Sequence, residues 1–383
     1  MPVRIIVAPD KFKGSMTALE AAKSIARGIE TVFPRAEILI LPLSDGGEGL
    51  VESLAGTGGV IKKTRVTGPL GDPVEAAWGL INEGRTAVIE MAAASGLVLV
   101  PENRLNPLEA STYGTGELIR AALDEGCSHL IIGIGGSATN DGGAGMARAL
   151  GVKFLDHKSR ELKDGGGELA NLHRVDISAL DPRLEHTKIE VASDVDNPLT
   201  GPQGASKVYG PQKGATPEMV EQLEQAMRHY ARVIEKDLGL DIAAVPGAGA
   251  AGGLGAGLIA FLKAGLRSGI DLVLDTLDID RHLAGCFLLI TGEGKLDAQS
   301  VRGKAPVGAG RRAARYGVPA VALAGKLEGS LEVFHREGIT ACFAIANGPL
   351  TVEESMAEGP RLLESKTAEL MRLIKANKLK TGV

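Results

Sequence analysis

The sequence predicts an α/β protein of two α/β domains. A five-stranded parallel sheet assembled from both ends of the chain is split by a large inserted α/β domain with a mixed sheet. Three observations predict this. Short apolar runs alternate with helical patterns at the start of the chain and again after residue 282. Between residues 60 and 92 that rhythm gives way to three short runs divided by turn signals, the pattern of an antiparallel meander. Polar clusters recur where the apolar runs end, the place where strands of an α/β sheet deliver side chains to a ligand.

The first strand is RIIVAP, residues 4–9, followed by DKFKGSM and a helix. Thr17 and Glu20 have capping-box spacing, and Leu19, Ala22, Ile25 and Ile29 form one apolar stripe. EILILP at 37–42 is the second strand of a β-α-β start. VIKKTRVTG, VEAAWGLI and TAVIEMA form the meander, with GPLGDP and NEG as its turns. A helix near 115–125 leads to the strand HLIIGIG, and IEVASDV at 189–195 is another strand. Thr216-Pro217 opens a helix with Thr at the N-cap and Pro at its first position. The closing strands are FLLITG (287–292), PAVALAG (319–325) and TACFAIA (340–346). One helix between them is opened by Ser330, and another by Thr351 and Glu354, again with capping-box spacing. The first domain is then 1–60 with 282–383, the insert is 61–281, and the active site is expected in the cleft between them.

Composition narrows the function. With 44% hydrophobic residues among 383, a sizeable core forms. A net charge of −5 argues against nucleic-acid binding by bulk charge. Cys127, Cys286 and Cys342 are far apart and lie in or beside apolar runs, as reduced thiols of a cytoplasmic protein do. The apolar run before Asp10 is too short for a signal peptide. Val245 to Leu262 carries no charge, but its six glycines favour a buried loop and helix entry over a membrane span. The seven histidines show no ligand spacing.

Five polar clusters follow strands: APDKFKGS, LSDGGEG, GGSATNDGGAG, SDVDNP and TGEGKLDAQS. Convergence of Asp10, Asp45, Glu48, Asp141, Asp194, Asp196, Glu293 and Asp297 would need cations to offset repulsion. Lys11, Lys13, Lys213, Lys295 and Lys304 supply some, and Mg²⁺ would supply more. Bare glycine loops offer backbone N–H groups to an anion, so the combination points to phosphoryl transfer. Plainer readings stand beside these. Asp45 in SDGG is also a turn former, Asp141 also a cap for the helix through MARAL, Asp196 and Asn197 also a turn before Pro198, and Lys295 also a solvated side chain. No Walker loop or protein-kinase signature occurs. Gly247, Gly249 and Gly252 spell G-x-G-x-x-G, with Asp271 about 20 residues on, which leaves an NAD-dependent oxidoreductase open as a second class. A non-catalytic ligand sensor is a third.

The strings APDKFKGSMTA, LSDGGEG, GIGGSATNDGGAGMARALG, SDVDNPLTGPQGA, YGPQKGA, GAGAAGGLGAGL, TGEGKLDAQS and GKAPVG occur in order from residue 8 to about 308. By them the chain resembles the bacterial glycerate kinase family. The resemblance implies ATP- and Mg²⁺-dependent phosphorylation of D-glycerate, mostly to 2-phosphoglycerate, with 3-phosphoglycerate as the alternative. It also implies that the split domain is flavodoxin-like. Ser44 and Leu50 stand where the family usually has Ala and Thr, and Lys295 where it has Arg, which keeps charge but loses the bidentate fork.

On this reading Asp194 is the general base. Asp45 and Asp141 serve Mg²⁺ or its water shell, and Asp141 and Lys295 join the catalytic set. Lys13, Gly14 and Ser15 cradle the glycerate carboxylate or a phosphate at the start of the first helix. Gly135, Gly136, Ser137 and Asn140, with Lys213, Lys295 and Glu293, complete the substrate and phosphate site. The oligomeric state and the adenine contacts stay open.

Overall fold

The computed structural model describes residues 3–298, 300 and 304–381. Its strands are β1 Arg4–Pro9, β2 Glu37–Ile40, β3 Val60–Thr67, β4 Pro73–Ile81, β5 Thr86–Glu90, β6 His129–Gly133, β7 Lys153–Leu155, β8 Arg174–Asp176, β9 Lys188–Ala192, β10 Gly265–Arg267, β11 Leu288–Leu296, β12 Ala320–Leu327 and β13 Ala341–Ala344. The chain forms two compact units: Met1–Asp45 with Glu52–Thr57 and Ile270–Val383, and Gly46–Val51 with Gly58–Gly269.

The first unit holds the five-stranded sheet in the order β13-β12-β11-β1-β2, every pairing parallel. Strands covered on both faces read as unbroken apolar runs, and Ile5 to Ala8 are all buried. Helix Ala18–Val32 begins at Thr17, where the capping box with Glu20 is formed in both directions. Its stripe packs with the C-terminal helix Gly359–Thr381 in one core through Ile25, Ile29, Leu363 and Met371. The crossing is close: a Cβ at Gly28 would lie 2.5 Å from the Glu364 carbonyl.

The second unit holds a six-stranded mixed sheet, β10-β9-β6-β5-β4-β3. The expected meander is its antiparallel part, β3 to β5, and β5, β6, β9 and β10 run parallel. Helix Pro217–Leu238 starts at Thr216 as expected, its hydroxyl accepting from Met219 N. Helix Ala250–Leu262 is buried in this unit's core, and no helix among the described residues is long and apolar enough to cross a membrane.

Three expectations shift. The strand drawn as FLLITG continues to Leu296, because β12 keeps pairing with it through Leu327; Glu293 and Lys295 therefore sit in a strand, two apart on one face. The helix expected to open at Ser330 begins at Glu332, whose N–H donates to Ser330 Oγ. Residues 270–281, placed in the insert by their sequence, group with the first unit. There Arg312 holds Asp271, Asp275 and Asp280, and Gly308 makes room for Ile270.

Candidate active site

In the first unit, Asp10 follows β1, Asp45 follows β2 and Glu293 lies in β11. The Asp10 carboxyl is pushed up to about 7, by burial first and then by the charges of Asp45 and Glu293. Lys11 N–H donates to its Oδ1 at 2.6 Å and opposes the rise. Glu293 is also buried, which raises its pKa despite Lys304, whose Nζ donates to Oε2 at 3.2 Å. Among the described residues Glu293 Oε1 has no hydrogen-bond partner. Among the described residues no three His, Cys, Asp or Glu side chains are placed to hold a metal unaided. Mg²⁺ often takes only one or two carboxylates, completing its shell with water and phosphate. The orphaned Glu293 oxygen and the crowded Asp10 carboxyl fit that demand.

Lys13, Gly14 and Ser15 do not form the helix start expected of them. They lie in a tight turn closed by Phe12 and Met16, and the helix N-terminus is capped from within by Thr17 and Glu20. Ser15 Oγ donates to the Met356 carbonyl at 2.6 Å, which ties this turn to the helix Val352–Ala357. Lys295 Nζ meets Asp297 at 3.0 Å and Glu328 at 3.3 Å, and these partners hold its pKa up.

In the second unit the loop after β6 runs from Ile134 to the helix Ala144–Ala149. Its bareness has a packing cause. Gly252, at φ +69°, would place a Cβ 1.9 Å from the Thr139 carbonyl, and Gly143 one 3.0 Å from Gly257 Cα. Two glycine-rich segments thus nest backbone against backbone, joined by Gly142 N–H to the Gly252 carbonyl at 3.1 Å. The same nesting overturns the dinucleotide fingerprint: no strand precedes Gly247, and Gly249 is pressed against the Pro198 carbonyl.

Asp141 is fully buried at the foot of the loop. Its Oδ2 accepts from Thr112 N–H and Oγ1, both at 2.8 Å, and from Gly145 N–H at 3.2 Å; its Oδ1 accepts from Gly143 N–H at 3.1 Å. Burial raises its pKa against the pull of those donors. The carboxylate caps the helix Ala144–Ala149 and pins it to Thr112, a geometry that suits anchoring in place of the metal role expected from the sequence. Lys213 is equally buried. Its Nζ donates to Ser137 Oγ at 2.7 Å and to the Thr139 carbonyl at 2.6 Å, and burial brings its pKa down to about 7. Gly135 and Gly136 are the exposed part of the loop, while Asn140 is buried, its Nδ2 on Ser206 Oγ at 3.0 Å and its Oδ1 without a partner among the described residues. Asp194 stands exposed past the end of β9, with Oδ1 accepting from Gly269 N–H at 3.0 Å. Asn197 joins the turn after it, accepting from Tyr209 OH at 2.6 Å and donating to the Gln203 carbonyl at 2.8 Å.

The model of the glycerate kinase family matches residues 5–375. The chain belongs to the glycerate kinase family. Glycerate kinase from Bacillus subtilis is 52% identical over 354 residues, 92% of this chain and 93% of that protein. Glycerate 2-kinase from Escherichia coli is 49% identical over 354 residues, with the same coverage. A solved structure from Salmonella typhimurium LT2, provisionally described as glycerate kinase 2, superposes with a TM-score of 0.91 at 46% identity, covering 99% of this chain and 100% of that one.

Within this glycerate kinase family member the sequence-predicted residues fall into two groups. Asp45, Glu293, Lys295, Lys13, Gly14 and Ser15 belong to the first unit, and Gly135, Gly136, Ser137, Asn140, Asp141, Asp194 and Lys213 to the second. Gln299 and Gly303, part of the family strings, lie outside the described residues. Sequence reasoning left Asp10 and Lys304 as unassigned charges and missed Thr112. Asp10 had a signal, since it is the first polar residue after a continuous apolar strand. Thr112 had none, because its link to Asp141 is visible only in three dimensions.

Proposed function

We propose that this chain transfers the γ-phosphoryl group of ATP to the 2-hydroxyl of D-glycerate, giving 2-phospho-D-glycerate and ADP. The observation that carries the proposal is the match over nearly the whole chain to proteins named glycerate kinase, one of them a glycerate 2-kinase. The polar strand ends are consistent with it: carboxylates and a lysine pair in the first unit, an exposed glycine backbone over a buried lysine in the second.

In the proposed reaction the glycerate hydroxyl oxygen attacks the γ-phosphorus, the bond to the β,γ-bridging oxygen breaks, and ADP leaves. Asp194 receives the hydroxyl proton. Its link to Gly269 N–H orients the carboxylate. Gly135 to Ser137 offer backbone N–H groups to an anion, and Lys213 beneath them adds positive charge that an anion overhead would strengthen. Asp10, Asp45 and Glu293 are the residues that would hold Mg²⁺, which when bound neutralises phosphate charge. Asp141 acts by fixing the loop. Both units contribute residues, so the proposal needs both in one catalytic cycle. ADP release that depends on D-glycerate tests it: a folded protein that releases none, with or without Mg²⁺, refutes it.

A further inference from the structure

The first unit contains a cavity of about 490 Å³ that none of the proposed steps uses. It opens over the carboxyl ends of β11, β12 and β13 and over the turn after β1. In a parallel sheet of this order, ligands bind at the strand ends beside the switch in strand direction of travel, here between β1 and β11. We infer that this cavity receives the purine nucleoside end of the phosphoryl donor, an inference that rests on the ATP-dependent reading above.

The lining separates by chemistry. One wall is apolar, and three of its residues remain well exposed: Leu350 at 44%, Val352 at 64% and Met356 at 40%. Apolar side chains left open around a concavity mark a binding surface. The lining also carries Lys13, Lys295 and Lys326. Asp297 and Glu328 are the carboxylates paired with two of these lysines, so three ammonium groups face two carboxylates. Gly294 and Gly325 also line it. A Cβ at Gly325 would lie 2.6 Å from the Gly294 carbonyl, so position 325 can contribute only backbone.

An occupant with a flat apolar body and an anionic tail matches this division. Glycerate, with three carbons and no apolar face, does not. The chain has 3% aromatic residues; Phe12 lines the cavity but is itself buried, and the exposed part of the wall offers a thioether and aliphatic groups. Met356 is suited to lie against an aromatic base. Its position is set by the DKFKGS turn: Ser15 Oγ holds its carbonyl, and a Cβ at Gly14 would come within 3.3 Å of its Sδ. That assigns Gly14 and Ser15 to shaping the nucleotide wall.

Calorimetric titration with ADP and Mg²⁺ tests the inference on the parent protein and on Val352→Trp and Met356→Glu. Both substitutions are at exposed positions, and a melting scan checks that each variant folds. The expected result is at least about tenfold weaker ADP binding and a matching rise in the KM for ATP, with the KM for D-glycerate and kcat little changed. If both folded variants bind ADP as the parent does, the cavity is not the nucleotide site, while the kinase reading stands. If the parent binds no ADP and makes no phosphorylated product, the kinase reading fails and takes this inference with it. A specific loss confined to D-glycerate would overturn the assignment in favour of the acceptor.

Discussion

Replacing Lys213 by methionine removes an ammonium group that the fold keeps from water. Burial lowers its pKa from 10.5 to about 7, with Asp141 opposing the fall. That shift of about 3.5 corresponds to about 5 kcal/mol between the two protonation states. The folded value lies below the unfolded one, so the associated stability is fully present above about 10.5 and is lost as pH falls through about 7. Between pH 7 and 8.5 the linkage gives a rise in unfolding free energy of about 1.5–2 kcal/mol, or about 3–8 °C in Tm for a domain of this size. Methionine has similar length and does not ionise, so the variant should lack this rise. It also loses the donors to Ser137 Oγ and the Thr139 carbonyl, which costs about 1–3 kcal/mol for each buried acceptor left alone. The slope against pH therefore reports the charge, and the vertical offset reports the hydrogen bonds. Scanning calorimetry of both proteins from pH 7 to 8.5 separates them. Parallel curves would refute the reasoning, because they would mean that Lys213 is solvated and ionises as freely folded as unfolded.

Two further substitutions address the proposed chemistry. Asp194→Asn should lower kcat by about 10²- to 10⁴-fold, the usual range for losing a general base. Its melting temperature should barely move, since an amide oxygen still accepts from Gly269 N–H; an unchanged kcat would remove Asp194 from the mechanism. Asp10→Asn should uncouple stability from activity. The Asp10 carboxyl is raised from 3.8 to about 7, so its stabilising protonated form is complete below about 3.8 and is lost as pH rises through about 7. The variant should gain up to about 4 kcal/mol above pH 7 while losing Mg²⁺-dependent turnover; equal melting curves at pH 5 and 8 for parent and variant would contradict this.

Much of the fold was legible because most strands of the two larger sheets announce themselves locally, whereas the short β7–β8 pair and β10 did not. RIIVAP, PAVALAG and the meander carry their own periods, and Thr17, Thr216 and Thr351 mark helix starts that the structure keeps. The exceptions have tertiary causes. GEGK reads as a loop because of its glycines, yet pairing with β12 draws it into the strand. The glycines of 133–145 and 247–257 read as an anion loop and a dinucleotide fingerprint, but lie more than a hundred residues apart and exist largely for each other. The role of Asp141 turned on Thr112, and that of Ser15 on Met356, 341 positions away. Residue type marked where the polar sites are; which side chains face a ligand and which hold the backbone was set by partners that no local pattern contains.

The most direct test of the central claim is phosphorus NMR of the protein with D-glycerate, ATP and Mg²⁺. A phosphomonoester doublet, from phosphorus on a secondary carbon, should grow as ADP accumulates. A triplet would place the phosphoryl group on the primary hydroxyl and contradict the 2-position, and no new resonance from a folded protein would contradict the phosphorylation of glycerate itself.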